Sequence, residues 1–242
     1  MKKIILILSV LLLLPLKIYG ANTCLSFDGN DNVYCGLLVT GHLTTATSEA
    51  WIYPTSYPSG WGHIIQIGLW GTGGEVTLGV LLRNTGKIYV DPGGNIGGSI
   101  IPLNQWTHIA VTYNSTTIIV YVNGVWDAQY TYNQNSTSDV VSIGATRKTD
   151  TTYHEYFIGC IDEVRIYNRV ISSDEVLASF KGQAVSTTGL VGEWLMQEGT
   201  GGTIADTSVN GNTGTITGAS WAIIAPWIKG TQSITGIQSI TF

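Results

Sequence analysis

The sequence predicts an all-β sandwich or barrel, and two observations carry that prediction. Short runs of alternating apolar and polar residues recur about every ten residues from Ser48 to Tyr167, separated by Gly, Asn, Pro and Thr. Many of these runs are rich in Val, Ile, Thr, Tyr and Trp, the side chains that suit a pleated, half-buried surface. Composition bounds the partners: charged residues are 11% of the 242-residue chain and the formal net charge is −5. Nucleic acid and anionic lipid surfaces would need a basic patch that this chain lacks, so a neutral partner is expected.

At the amino terminus, Lys2 and Lys3 precede an apolar run from Ile4 to Leu16, after which the chain turns polar through Asn22. That is the layout of a secretory signal peptide. The run is shorter than the roughly 20 residues a bilayer span requires, and Pro15 sits near its end. Residues 1–20 are therefore set apart from the fold, with an uncleaved anchor as the alternative. The mature chain is expected to be secreted or held at the cell surface, with no membrane span. Residues 21–221 suit one well-filled β-sandwich. Residues 222–242 form an apolar tail in which Gln-Ser-Ile-Thr occurs at 232–235 and again at 238–241. Such a tail can add an edge strand within the molecule or in a neighbour, which makes it a route to self-association.

Cys24, Cys35 and Cys160 lie in a chain bound for an oxidising compartment, so one disulfide and one spare thiol are expected. Cys24 and Cys35 flank Asp28-Gly29-Asn30-Asp31, which reads as a tight hairpin turn. With Gly29-Asn30 as its loop the two cysteines fall opposite each other, which favours their pairing; a bridge from either to Cys160 is the alternative. Further on, Trp106–Tyr113, Asn114-Ser115-Thr116 and Thr117–Val122 read as two strands and a turn. Asn123-Gly124 follows, supplying the positive backbone angles of another tight turn. One helix is expected over Ser172–Phe180, capped by Ser172 or Ser173 with Glu175 in its first turn. His63 and His108 lie in apolar strands and read as packing or surface residues, while His42 and His154 are loop residues without partners at metal-ligand spacing.

Four segments, in order, resemble the laminin-G-like branch of the concanavalin A-like lectin/glucanase jelly rolls. Leu25-Ser26-Phe27-Asp28-Gly29-Asn30-Asp31 resembles the opening strand and turn, Ser48–Pro54 the next strand, Trp106–Gly124 the central meander and Ile158–Arg169 the closing strand. The recognisable core is 24–180. Gly189–Trp221 resembles the piece that often precedes the opening strand; here it is expected to complete the same sandwich from the other end, because two strands cannot bury a core alone. The resemblance implies a jelly roll of two antiparallel sheets that binds carbohydrate or an extracellular protein. It also implies a structural calcium ion, for which Asp162 matches the closing-strand position and Asp28, Gly29 and Asp31 the turn. The oxygen-rich loop 206–212 is a further candidate for an ion.

Sugar binding calls for aromatic faces beside placed polar groups. Tyr57, Trp61, Trp70, Trp126, Tyr130, Tyr132 and Tyr153 lie in or beside Gly-rich and Asn-rich loops and are the ligand-binding candidates, whereas Trp51, Trp106 and Trp194 sit on better-patterned strands and read as core. Catalysis is not expected. Jelly-roll glycanases typically carry Glu-x-Asp-x-x-Glu on one strand, which does not occur here, and Asp162-Glu163 places neighbours on opposite strand faces. No Gly-x-Ser-x-Gly, His-Glu-x-x-His or phosphate-loop motif is present. An adhesion protein acting through protein contacts, and more remotely a glycoside hydrolase, are the competing readings.

Overall fold

The computed structural model describes residues 23–38, 43–71, 76–92, 95–132, 138–149 and 151–223. Residues 1–22, where the signal segment is expected, the 222–242 tail beyond Ile223, and His42 lie outside them. The first strands are β1 (Thr23–Asp28), β2 (Asn32–Leu37), β3 (Ala46–Pro54), β4 (Trp61–Gly68), β5 (Val76–Arg83) and β6 (Lys87–Asp91). Next come β7 (Asn95–Ile100), β8 (Thr107–Tyr113), β9 (Thr117–Val122), β10 (Val125–Thr131), β11 (Val140–Ile143), β12 (Thr146–Arg147) and β13 (Tyr153–His154). The chain closes with β14 (Ile158–Tyr167), α1 (Ser173–Phe180), β15 (Leu190–Trp194), β16 (Thr203–Ile204), β17 (Gly214–Thr217) and β18 (Ser220–Ile223).

Two antiparallel eight-stranded sheets face each other. The first runs β10-β9-β8-β3-β14-β1-β18, with β15 also paired to β14; the second runs β16-β17-β2-β11-β4-β5-β6-β7. Alternation fixes which residues meet between them. Leu25 and Phe27 of β1, Ile52 of β3, Ile161 and Ile166 of β14, and Val33, Ile67, Leu78, Val80 and Ile88 of the second sheet form one buried core. This is the jelly-roll sandwich that the resemblance implied. A smaller apolar cluster on the outer face of the first sheet, including Tyr121, Tyr167 and Val176, seats α1.

The helix starts where its cap predicts. The Ser172 hydroxyl accepts from the Glu175 amide at 3.2 Å, and the Glu175 carboxylate accepts from the Ser172 amide at 2.9 Å. The Asn123-Gly124 turn has φ of 51° and 76°, the pairing a two-residue hairpin of this kind demands, and Val122 faces Val125 across it.

The turn after β1 differs from expectation. Asp28–Asp31 is a crossover between the sheets: β1 pairs with β14 and β18, whereas β2 pairs with β11 and β17. Alternation reads the same whether two strands pair or face each other across a core, so the turn residues could not separate the cases. The consequence for the cysteines is direct. Cys35 points into the core between the sheets, Cys24 alternates with the core residue Leu25 and points out of the first sheet, and no Cys24–Cys35 bridge spans them. All three cysteines carry free thiols.

Candidate functional site

The outer face of the second sheet is built by residues that alternate with its core positions. In β5, Leu82 faces inward and Arg83 outward; in β6, Ile88 and Val90 face inward and Tyr89 outward. Trp61 opens β4 directly across from Arg83. Its indole meets the Tyr89 ring edge-on at 4.6 Å between centroids, and the Arg83 guanidinium lies over it at 5.0 Å. A partly buried indole is thus held in one orientation by two neighbours.

Residues 155–157 form one wall beside it. The His63 amide donates to the Glu155 carbonyl at 2.8 Å, so this segment runs against β4. Gly62 eases that approach: a Cβ there would crowd the wall, lying 3.0 Å from the Tyr156 carbonyl oxygen and 3.2 Å from Phe157 Cα. Between this wall and the Pro58–Gly60 loop lies an open cavity of about 330 Å³, lined also by Trp61, Glu155, Tyr156 and Gly29. Burial, then the nearby Asp91 charge, push the Glu155 carboxyl upward. His63 is buried below, with Nδ1 3.3 Å from a Glu155 carboxylate oxygen, and burial drops its pKa to about 3. The arrangement offers an aromatic surface and a carboxyl group at one open cavity.

The other aromatic candidates are distributed. Trp70 lies beyond the far end of β4, roughly 30 Å from Trp61 at the usual rise of a strand. There Lys148 Nζ stands 4.7 Å over its ring, and Arg147 lies 4.8 Å over the Tyr34 ring. Tyr153 pairs with Arg147 in the β12–β13 hairpin over this end. Tyr57, Tyr130 and Tyr132 pack against the sandwich core, and the Tyr57 hydroxyl donates to the Ile101 carbonyl at 2.8 Å. Trp126 is 58% exposed but stands opposite Tyr121 in the first sheet, on the other side of the molecule. Of the expected core tryptophans, Trp194 lies in the main core, Trp51 stacks on Phe180 beneath α1, and Trp106 is half-buried against Tyr53. Arg83, Tyr89 and Glu155 escaped the sequence reading; the available signal was that Arg83 and Tyr89 occupy the outward positions of two alternating runs.

The four residues matched to calcium do not form one oxygen cage. Asp28 faces Ile158 in the β1–β14 register, so Asp162 lies four residues further along, roughly 13 Å away. It is buried, and its carboxylate accepts from the Glu163 amide at 2.9 Å. Asp31 accepts from the Asp28 amide at 2.6 Å and seats against Gly218, where even a Cβ would collide with it. In the 206–212 loop the Asp206 carboxylate accepts from the amides of Glu193, Ser208 and Asn212, each at 2.8 Å, and from the Ser208 hydroxyl, so its oxygens hold the loop itself. Among the described residues no cluster of His, Cys, Asp and Glu has metal-holding geometry.

A second cavity, about 220 Å³, opens on the outer face of the first sheet beside α1. The bulge after Asp162, with Glu163 at φ 48°, turns Glu163 and Arg165 toward Glu49 of β3 and Glu193 of β15. Arg165 lies 2.7 Å from Glu193, 3.5 Å from Glu163 and 3.7 Å from Glu49. Burial works against the charge on Glu49, but His108, Arg165 and Ser179 outweigh it and hold the carboxyl below its usual range. Arg165 and its carboxylates tie three strands together.

No curated protein matches the chain in sequence. Among solved structures, a candidate carbohydrate-binding protein from Bacteroides ovatus superposes with a TM-score of 0.69 at 20% identity, over 87% of this chain and 62% of that one. The chain thus spans less than two thirds of that relative. A heptameric SAP-like pentraxin from Limulus polyphemus superposes with a TM-score of 0.57 at 13% identity, over 81% of this chain and 94% of that one. At these identities the likeness establishes the fold. Residues 27–177, from the end of β1 into α1, match the family model described as the concanavalin A-like lectin/glucanases superfamily, and with its two facing sheets the chain belongs to that superfamily.

Proposed function

We propose that the protein is an extracellular, non-catalytic binding module for neutral carbohydrate, and that the ligand sits at the Trp61 cavity. The observation that carries this reading is the orientation of Trp61: a partly exposed indole, fixed by Tyr89 and Arg83, borders a cavity that also presents the Glu155 carboxyl. A pyranose ring has an apolar face that packs on an indole and a rim of hydroxyls that a carboxyl receives. A ring already held still loses little side-chain entropy on binding. The superfamily's lectin members and the Bacteroides ovatus likeness favour the same class of ligand. The carboxylates of the second cavity are drawn to Arg165, and Glu49 among them is held toward ionisation, the reverse of what a general acid for glycoside cleavage needs.

A glycan array probed with the native protein and with Trp61→Ala and Trp126→Ala tests the proposal. The native protein and Trp126→Ala are expected to bind a shared set of neutral glycans, with Trp61→Ala at least about tenfold weaker, equivalent to roughly 1.4 kcal/mol. No binding by the native protein across broad glycan classes, or equal binding by Trp61→Ala, overturns it.

A further inference from the structure

The crossover that separates Cys24 from Cys35 brings Cys24 to another partner. In the antiparallel β1–β14 ladder, Leu25 faces Ile161 and Ser26 faces Cys160. Leu25 and Ile161 both point into the core, so Cys24 and Cys160, one residue away on their strands, both point out of the sheet on the same side. They are diagonal neighbours on adjacent strands, close enough for each thiol to shift the ionisation of the other. Cys24 is fully buried, whereas Cys160 is partly exposed. Cys35, by contrast, lies in the core between the sheets.

We propose that Cys24 and Cys160 form a disulfide joining β1 to β14 when the chain meets a disulfide oxidant, and that Cys35 stays reduced. The oxidant is a small-molecule or protein disulfide. The Cys160 thiolate attacks one of its sulfurs, forming a mixed disulfide and expelling the other sulfur as a thiolate, which takes up a proton. Cys24 then loses its proton and attacks the Cys160 sulfur, expelling the second thiol. Two protein thiols are oxidised and one external disulfide is reduced to two thiols. The local chemistry suits Cys160 to the first step. The neighbouring Cys24 and Ser26 hold its thiol below the usual range despite burial, while the Cys160 sulfur, burial and the nearby Asp162 push Cys24 up. The bridge closes a loop of more than about 100 residues, the case in which a cross-link restrains the unfolded chain most.

The full chain, reduced and then treated with oxidised glutathione, is denatured and alkylated, and its peptides are mapped by mass spectrometry. The expected result is one alkylated cysteine, Cys35, and a linked peptide pair containing Cys24 and Cys160. A linkage that includes Cys35, or alkylation of all three cysteines after oxidation, overturns the proposal. Cys35→Ser is expected to keep the linked pair and Cys160→Ser to lose it. Melting supplies an independent readout. Reductant is expected to lower Tm by about 5–15 °C in the native protein and in Cys35→Ser. Cys160→Ser should melt at the same temperature with and without reductant, and a reductant-dependent shift in that variant overturns the assignment.

Discussion

His63 shows how one residue can be legible in kind and still hide its consequence. An apolar strand flanks it in the sequence, and the packing role expected there matches its burial, but the sequence does not reveal that the ring is buried beside the Glu155 carboxylate, 3.3 Å from Nδ1. An unfolded histidine takes up a proton near pH 6.5, whereas this one, held neutral by burial, does so only near 3. Between those values the unfolded chain binds more protons, so the residue costs no stability above about pH 6.5 and progressively more as pH falls toward 3. The loss at the acid end is on the order of several kcal/mol. His63→Leu, which fills similar space without ring nitrogens, should flatten the fall in stability between pH 6.5 and 4, as measured by urea unfolding at several pH values. Parallel curves for the native and variant proteins would contradict a neutral buried imidazole.

At the scale of elements, local chemistry was readable wherever one residue type does one job. Ser172 and Glu175 announce the start of α1, and Asn123-Gly124 announces the β9–β10 turn, because few side chains accept from a helix amide or tolerate positive φ. Pairing was less legible: Asp28–Asp31 has the residues of a hairpin yet crosses between sheets, and only long-range partners decide that. The candidate site suffered in the same way. Trp61 was found because it stands beside a glycine-rich loop, but Arg83 and Tyr89 are on other strands and become its neighbours only through the β4–β5–β6 register. The helix start can be tested by itself. Ser172→Ala removes one half of the capping box and should cost about 1 kcal/mol. Glu175→Gln should cost more than the cap alone, because the carboxylate also binds Arg169 at 2.6 and 2.9 Å. Arg169, then the Ser172 amide, draw the Glu175 pKa down to about 2, so its contribution is present above about pH 4.5 and lost as pH falls toward 2. Unfolding of both variants at pH 7 and pH 3 separates the effects: the deficit of Glu175→Gln relative to the native protein should be clearly smaller at pH 3 than at pH 7, and an equal deficit at both values would argue against the ion pair.

Over the whole molecule, the question is what closes the sandwich. The match to the family model ends at residue 177, yet the strands after it belong to both sheets: β15 pairs with β14 and β18 with β1 in the first, and β17 pairs with β2 in the second. Val191, Trp194, Met196 and Ile204 reach the main core, where Trp194 is fully buried and its indole nitrogen donates to the Asn212 carbonyl at 2.9 Å. Burying four such side chains contributes roughly 1.5–3 kcal/mol each, or about 6–12 kcal/mol together. The net stability of a domain is only about 5–15 kcal/mol, so the contribution of these strands is comparable to the whole. A chain ending at Gln183 should therefore fail to fold, with near-ultraviolet circular dichroism and cooperative melting both lost. A chain ending at Ile223 should keep both. If the shorter chain melted cooperatively within a few degrees of the longer one, residues 24–180 would be a self-sufficient sandwich and the strands beyond Gly189 an accessory layer on it.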